Sequence, residues 1–192
     1  MKFRFSILIV LCAAFVSFAQ EKNEIEERVS KEDFPKEALI HIEALPKTVK
    51  RLKLFRETDG STISYEAKFK YNRQFFSVEF NTEGILEDIE VLMKQRDLDQ
   101  EAFSNIKNYF KENHKKSRII KIQKQYRPIS QNAAELLKIA LENAHFSNIY
   151  YEIIAETKTG SSRALGEFTF SASGEFISKR VVAPSSYDYV LY

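Results

Sequence analysis

The side chains able to do chemistry are few and scattered. Three histidines, His41, His114 and His145, fall on three separate stretches. None stands four residues from another histidine or beside a favourable carboxylate pair, the spacing that helical zinc sites use. The single cysteine, Cys12, lies in an apolar N-terminal run. The rest of the chain therefore has no thiol nucleophile, no Cys-ligated zinc site and no iron–sulfur cluster. No Gly-x-Ser-x-Gly elbow marks a serine nucleophile, and Gly160-Ser161-Ser162 reads as a hairpin tip. The carboxylates Glu83, Glu87, Asp88 and Glu90 could do acid–base work or hold calcium only if burial or mutual proximity shifted their pKa values. Placed on an edge strand, they read instead as solvated charges that discourage edge-to-edge pairing. The basic run Lys111 to Arg118 ends a helix, where cations complement the helix dipole. No catalytic, cofactor-binding or metal-ligating residue is expected, and no enzymatic activity.

The N-terminus sets the compartment. Met1-Lys2-Phe3-Arg4 is basic, Phe5 to Phe18 is almost wholly apolar, and Ser17-Phe18-Ala19 is a small-x-small cleavage site. That order is a secretory signal peptide, residues 1–19, too short to span a bilayer. Leu11 before Cys12 is a poor match to a lipoprotein signal. Removing Lys2 and Arg4 leaves 27 basic against 27 acidic residues. A neutral mature chain gives no global reason to bind nucleic acid or anionic membrane. A periplasmic or secreted protein without disulfides, cleaved after Ala19, must be held by its core alone.

These observations require elements that build such a core. Residues 20–32 are charged and read as a flexible leader. Asp33 can cap a short helix, with Pro35 in its first turn and Ala38, Leu39, Ile42 and Leu45 on one face. Ile63, Tyr65, Ala67, Phe69 and Tyr71 alternate with polar residues, the pattern of a strand covered on one side. Asn72-Arg73 turns the chain into Phe76, Val78 and Phe80, and Gly84 turns it again towards Ile85, Ile89 and Val91. A second helix is expected from Asp99 to Asn113, then a strand with Ile120 and Ile122 facing inward. Ser130 can cap a further helix over 131–144. Ile149, Tyr151, Ile153 and Ala155 alternate, and Phe168-Thr169-Phe170 with Gly174 echoes Val78-Glu79-Phe80 with Gly84. Matches in the same order suggest duplication. The expected fold is α+β: two tandem helix-on-antiparallel-sheet units, 33–94 and 97–184, the second carrying the inserted helix, with an aromatic tail over 185–192.

The residues Phe34-Pro35, Ala38, Tyr65-Glu66-Ala67, Val78-Glu79-Phe80-Asn81 and Gly84 resemble a known pattern, echoed by Tyr151-Glu152, Phe168, Phe170 and Gly174. It is that of the PepSY-like, β-lactamase-inhibitor-like family of small exported Gram-negative envelope proteins. The resemblance implies a helix-on-sheet unit used in tandem in the periplasm or at the surface. Inhibition of peptidases or other proteins is implied by analogy only. The matching positions are core and turn positions, so no binding residue carries over.

The sheet faces away from the helices differ between the halves. The first carries Lys53, Glu66, Lys68, Lys70, Ser77 and Glu79, apart from Phe55. The second carries Tyr150, Ile154 and Leu165 beside Glu152 and Glu167. Apolar side chains with a polar rim are the composition of a protein-binding patch, unless the tail or third helix covers them. The expectation is a non-catalytic binding protein that engages an envelope protein or extended peptide through an open sheet face, at Phe55, Tyr150, Ile154 and Leu165. A small-ligand site under the third helix and a hydrolase site between the units stay open as alternatives. No cofactor, nucleic acid or membrane span is expected.

Overall fold

The computed structural model describes residues 21–130, 132–159 and 161–188. The signal segment 1–19 and Tyr189 to Tyr192 of the tail lie outside the described residues. Three helices are present: α1 (Lys36–Glu43), α2 (Gln100–Asn113) and α3 (Ala133–Glu142). The strands are β1 (Glu21–Lys22), β2 (Glu24–Arg28), β3 (Lys50–Asp59), β4 (Thr62–Tyr71), β5 (Gln74–Asn81), β6 (Leu86–Leu92), β7 (Lys116–Tyr126), β8 (Ile149–Thr159), β9 (Ser162–Ser171) and β10 (Phe176–Val182).

All ten strands form one sheet, in the order β1-β10-β9-β8-β7-β6-β5-β4-β3-β2. From β3 to β10 the sheet is an antiparallel meander whose turns follow from the sequence. Asn72 and Arg73 both take positive φ, the geometry of a two-residue hairpin turn, and so set Tyr71 opposite Gln74. The sheet then curls back on itself. β1 runs parallel to β10 through Glu21–Val181 and Lys22–Val182, while β2, one residue later, pairs antiparallel with β3. One N-terminal stretch thus borders both ends of the sheet, and the result is a nearly closed barrel.

This overturns the expected α+β arrangement of two tandem helix-on-sheet units. β6 pairs with β7 from Ile89–Tyr126 to Leu92–Gln123, so no seam separates two sheets. Residues 20–32, expected as a flexible leader, supply β1 and β2. Their charges do not keep them in water, because Lys22 pairs with Glu24 and with Glu167 of β9, and Glu26 pairs with Lys68 of β4. The inserted helix also joins an unexpected neighbour. Ala133, Leu136, Leu137 and Ala140 of α3 pack in the same cluster as Phe34, Ala38 and Ile42 around α1, over Val78, Phe80 and Ile89.

The apolar face of the sheet is outside, under the helices. On the second half Ala102, Ile106 and Phe110 of α2 cover Ile153, Phe168 and Phe170, all buried. Each fully buried aromatic or aliphatic side chain contributes about 1.5–3 kcal/mol, which makes these two clusters the principal source of stability. The β5–β6 and β9–β10 turns are built alike: Gly84 N–H donates to Asn81 O and Gly174 N–H donates to Ser171 O. Both glycines take positive φ and lie against the first turns of α1 and α2.

Local irregularities shift some expected positions. A bulge between Ile119 and Lys121 rotates the alternation, so Ile119 packs on the core and Ile120 is exposed. A register shift beyond Glu79 puts Leu86, rather than Ile85, in the core. α3 starts at Ala133, because Asn132 and not Ser130 caps it: Asn132 Oδ1 accepts from Glu135 N–H at 2.9 Å. Asp99 caps α2 in the same way, accepting from Glu101 and Ala102 N–H. Asp99→Ala is expected to cost about 1 kcal/mol in chemical denaturation, as loss of an N-cap does.

Candidate functional site

With the apolar face turned outward, the polar face of every strand lines the interior. The side chains that alternate with the core positions, expected in solvent, enclose a cavity of about 540 Å³. Its wall carries nine carboxylates against five cations (Lys22, Lys68, Lys121, Arg127 and Arg180). Strand register puts like charges side by side: Glu66 is opposite Glu79, and Glu79 opposite Asp88. Side chains in such pairs are ~5 Å apart, and at an effective dielectric near 20 two charges repel by about 3 kcal/mol. Neighbouring carboxylates there cannot all be ionised without large cost.

The wall answers this in two ways. Near the seam, cations neutralise it. Lys22 Nζ lies 2.5 Å from Glu167 and 2.7 Å from Glu24, and Lys68 Nζ is 2.5 Å from Glu26 and 3.1 Å from Glu66. Arg180 joins Asp59 of β3 to β10, and Asn23 N–H donates to Asp59 Oδ1 at 2.9 Å. Burial alone would lower the Lys22 ammonium pKa, but Glu167, Glu152 and Glu24 around it raise it well above its ordinary value. These contacts zip the barrel shut.

On the opposite wall, amides and protons do the work. Arg127 Nε donates to Gln125 Oε1 at 2.8 Å, and Gln125 Nε2 donates to Asp88 Oδ2 at 2.8 Å. Gln123 Nε2 donates to Glu90, and Ser77 Oγ donates to Glu66. Desolvation, then repulsion from Asp88, raises the Glu90 carboxyl to about 8. Desolvation, with repulsion from Glu66 partly offset by a hydrogen bond from Ser64, raises Glu79 to about 7. Desolvation raises Glu57 to about 11, with Glu24 and Glu79 adding to it. Asp88 and Glu152 are pushed well up by the same causes, burial first and neighbouring carboxylates second.

The carboxylates read as solvated edge charges therefore need correction. β6 is a central strand between β5 and β7, and its Asp88 and Glu90 face the cavity. Of the four residues expected to bind a partner, Ile154 is 1% exposed and Leu165 6%. They form a small cluster with Val182, and Tyr187 packs on it. Phe55, on β3, is half-buried under the Lys68 ammonium, 5.3 Å from its ring. Tyr150 is half-buried beneath the Arg127 guanidinium at 4.5 Å. Of the four, only Ile154 lines the cavity. At the cavity's edge Phe75 and Leu92 are 43% and 39% exposed, an apolar rim to a charged interior.

The histidines are not part of it. His41 stacks on Phe80, and His114 packs against Tyr109, Phe110 and Phe168, with burial lowering its pKa. Among the described residues, one set of three ligating side chains has atoms close enough for a single ion: Glu24, Glu26 and Glu57, within 4.8 Å of one another.

The signal that would have revealed the lumen was present. A two-residue turn at Asn72-Arg73 fixes Glu66 opposite Glu79, and like charges in register on an open face are unfavourable. Such a pair points to an enclosed, protonated or ion-paired environment.

No family model matches the chain, and no curated protein matches it. Solved structures that share its fold include two from Bacteroides. A DUF2874 family protein from Bacteroides ovatus superposes with a TM-score of 0.51 at 12% identity, over 78% of this chain and 89% of that one. A "putative periplasmic" protein from Bacteroides eggerthii gives a TM-score of 0.52 at 9% identity, over 82% of this chain and 97% of that one. At these identities the likeness is one of fold. Among the described residues, no helix is long and apolar enough to cross a membrane.

Proposed function

We propose that this chain is a non-catalytic binding protein of the cell envelope that holds a small polar ligand inside its barrel. The observation that carries the reading is the 540 Å³ cavity enclosed by the concave face, a volume within the ~300–1,000 Å³ of ligand sites. The envelope assignment rests on the N-terminal signal pattern and on the periplasmic description of a structural neighbour. The non-catalytic reading follows the sequence, in which no Gly-x-Ser-x-Gly elbow and no helical His pair occurs. A peptide-binding role for the sheet face is disfavoured by the same geometry, since Ile154 and Leu165 are buried.

Filling the cavity tests the reading. Thr169 lines it from β9. Native mass spectrometry of protein recovered from the exported fraction should show a small bound mass in the wild type, lost in a folded Thr169→Trp variant. A bare-protein mass alone, with no added ligand mass, for both proteins would overturn the proposal.

A further inference from the structure

Building on that reading, the geometry points to the ligand's chemistry. We propose that the cavity binds an aliphatic polyamine, a chain whose ammonium groups are separated by methylene segments. Three observations carry this. Nine carboxyl groups face five cations around one cavity, and protons held on the buried carboxyls make up a shortfall that a cationic ligand would fill. Asp88, only 9% exposed, keeps Oδ1 without a hydrogen-bond partner while its other oxygen accepts from Gln125. An unmet carboxylate oxygen at that depth is costly unless something donates to it, and an ammonium does so best. Third, the acceptors are spread out. Glu57 stands on β3, Asp88 and Glu90 on β6, and Glu152 on β8, three different strands round the wall. Between them Ile154 offers apolar surface, with Phe75 and Leu92 at the rim. Separated charges joined by methylenes fit that alternation.

A divalent ion fits less well. It needs several oxygens converging on one point. The one convergent set among the described residues, Glu24, Glu26 and Glu57, has two members already held by lysines, Glu24 by Lys22 at 2.7 Å and Glu26 by Lys68 at 2.5 Å. A metal would have to displace both ammonium groups.

The test is isothermal titration of the full exported chain with spermidine, with calcium chloride and a tri-lysine peptide as parallel arms. Saturable spermidine binding is expected, weakened about tenfold or more in Asp88→Asn and in Glu90→Gln, the usual effect of losing a charged hydrogen-bond partner. Glu175→Gln, at an exposed turn position, should bind as the wild type does. Circular dichroism identifies any variant that fails to fold, and the second lumen variant then decides. Calcium binding in place of spermidine, tighter tri-lysine binding, or full affinity in both folded lumen variants would each overturn the polyamine assignment. If spermidine fails to bind while Thr169→Trp still removes a co-purified ligand, the polyamine assignment falls and the lumen reading stands. If neither is seen, both fall.

Discussion

Replacing Gly174 by alanine is expected to destabilise the protein by about 4 kcal/mol, from left-handed strain of roughly 1–2 and overpacking of roughly 1–3. Gly174 has φ +82°, and a Cβ there would lie 2.2 Å from the carbonyl oxygen of Ala102 and 2.8 Å from its carbonyl carbon. Those atoms are backbone in the first turn of α2 and cannot rotate away. The helix must lift from the β9–β10 turn, and Ile106 and Phe110 would lose contact with Phe168 and Phe170. Gly60 is the control. It has φ +62° with nothing within 4 Å of a built Cβ, so Gly60→Ala should cost only about 1 kcal/mol, the strain alone. Urea denaturation of both variants, with unchanged slopes, checks the difference. Equal losses would mean that α2 is not seated on the turn.

Stability should also fall as the solution becomes alkaline, by several kcal/mol, on the order of 3 or more, between pH 5 and pH 9. Glu79 and Glu90 hold their protons to about 7 and about 8 in the folded chain. In the unfolded chain glutamates lose theirs near the ordinary value of about 4.3. The folded state therefore binds more protons across that window, and each rise in pH favours unfolding. The stabilisation is complete below the unfolded value and is lost as pH passes through 7 and 8. Glu57, raised to about 11, and the upward-shifted Asp88 and Glu152 extend the loss in the same direction. Downward shifts oppose it: the hydrogen bond from Arg163 holds the Glu156 pKa low, an effect below the usual glutamate range, and burial lowers the His114 pKa, one histidine against several raised carboxyls. Thermal melts in constant-ionic-strength buffers across pH 5–9 measure the trend. A midpoint that rises over this range would contradict it.

The local elements were legible in the sequence, and the closure was not. Alternation over 63–71 located β4, and Asp99 marked the start of α2, because side-chain period and capping are local properties. Phe80, Phe168 and Phe170 were placed on the helix-covered face and lie there, fully buried. Two kinds of information escaped. Bulges at Ile119–Lys121 and beyond Glu79 change which residue faces inward without changing composition. Closure depends on partners far apart in the chain: Lys22 with Glu167, Asp59 with Arg180, and Ile89 with Tyr126. A polar strand face has the same sequence whether it meets bulk water or the far wall of a barrel. That ambiguity turned the lumen into an expected open surface. It also left Asp88 and Glu90 expected as edge charges, and residues 20–32 as a leader. Val78-Glu79-Phe80 with Gly84 and Phe168-Thr169-Phe170 with Gly174 are local likenesses that belong to one continuous sheet.

The most direct test of the enclosed acidic lumen is carboxyl-carbon NMR titration of the Glu79 and Glu90 side chains, assigned through Glu→Gln variants. Midpoints near 7 and 8 are expected, with neutral carboxyls persisting above pH 6. If both titrate between about 4 and 5, the ordinary range for solvated glutamates, the inner face is open to water and the lumen is not a binding cavity.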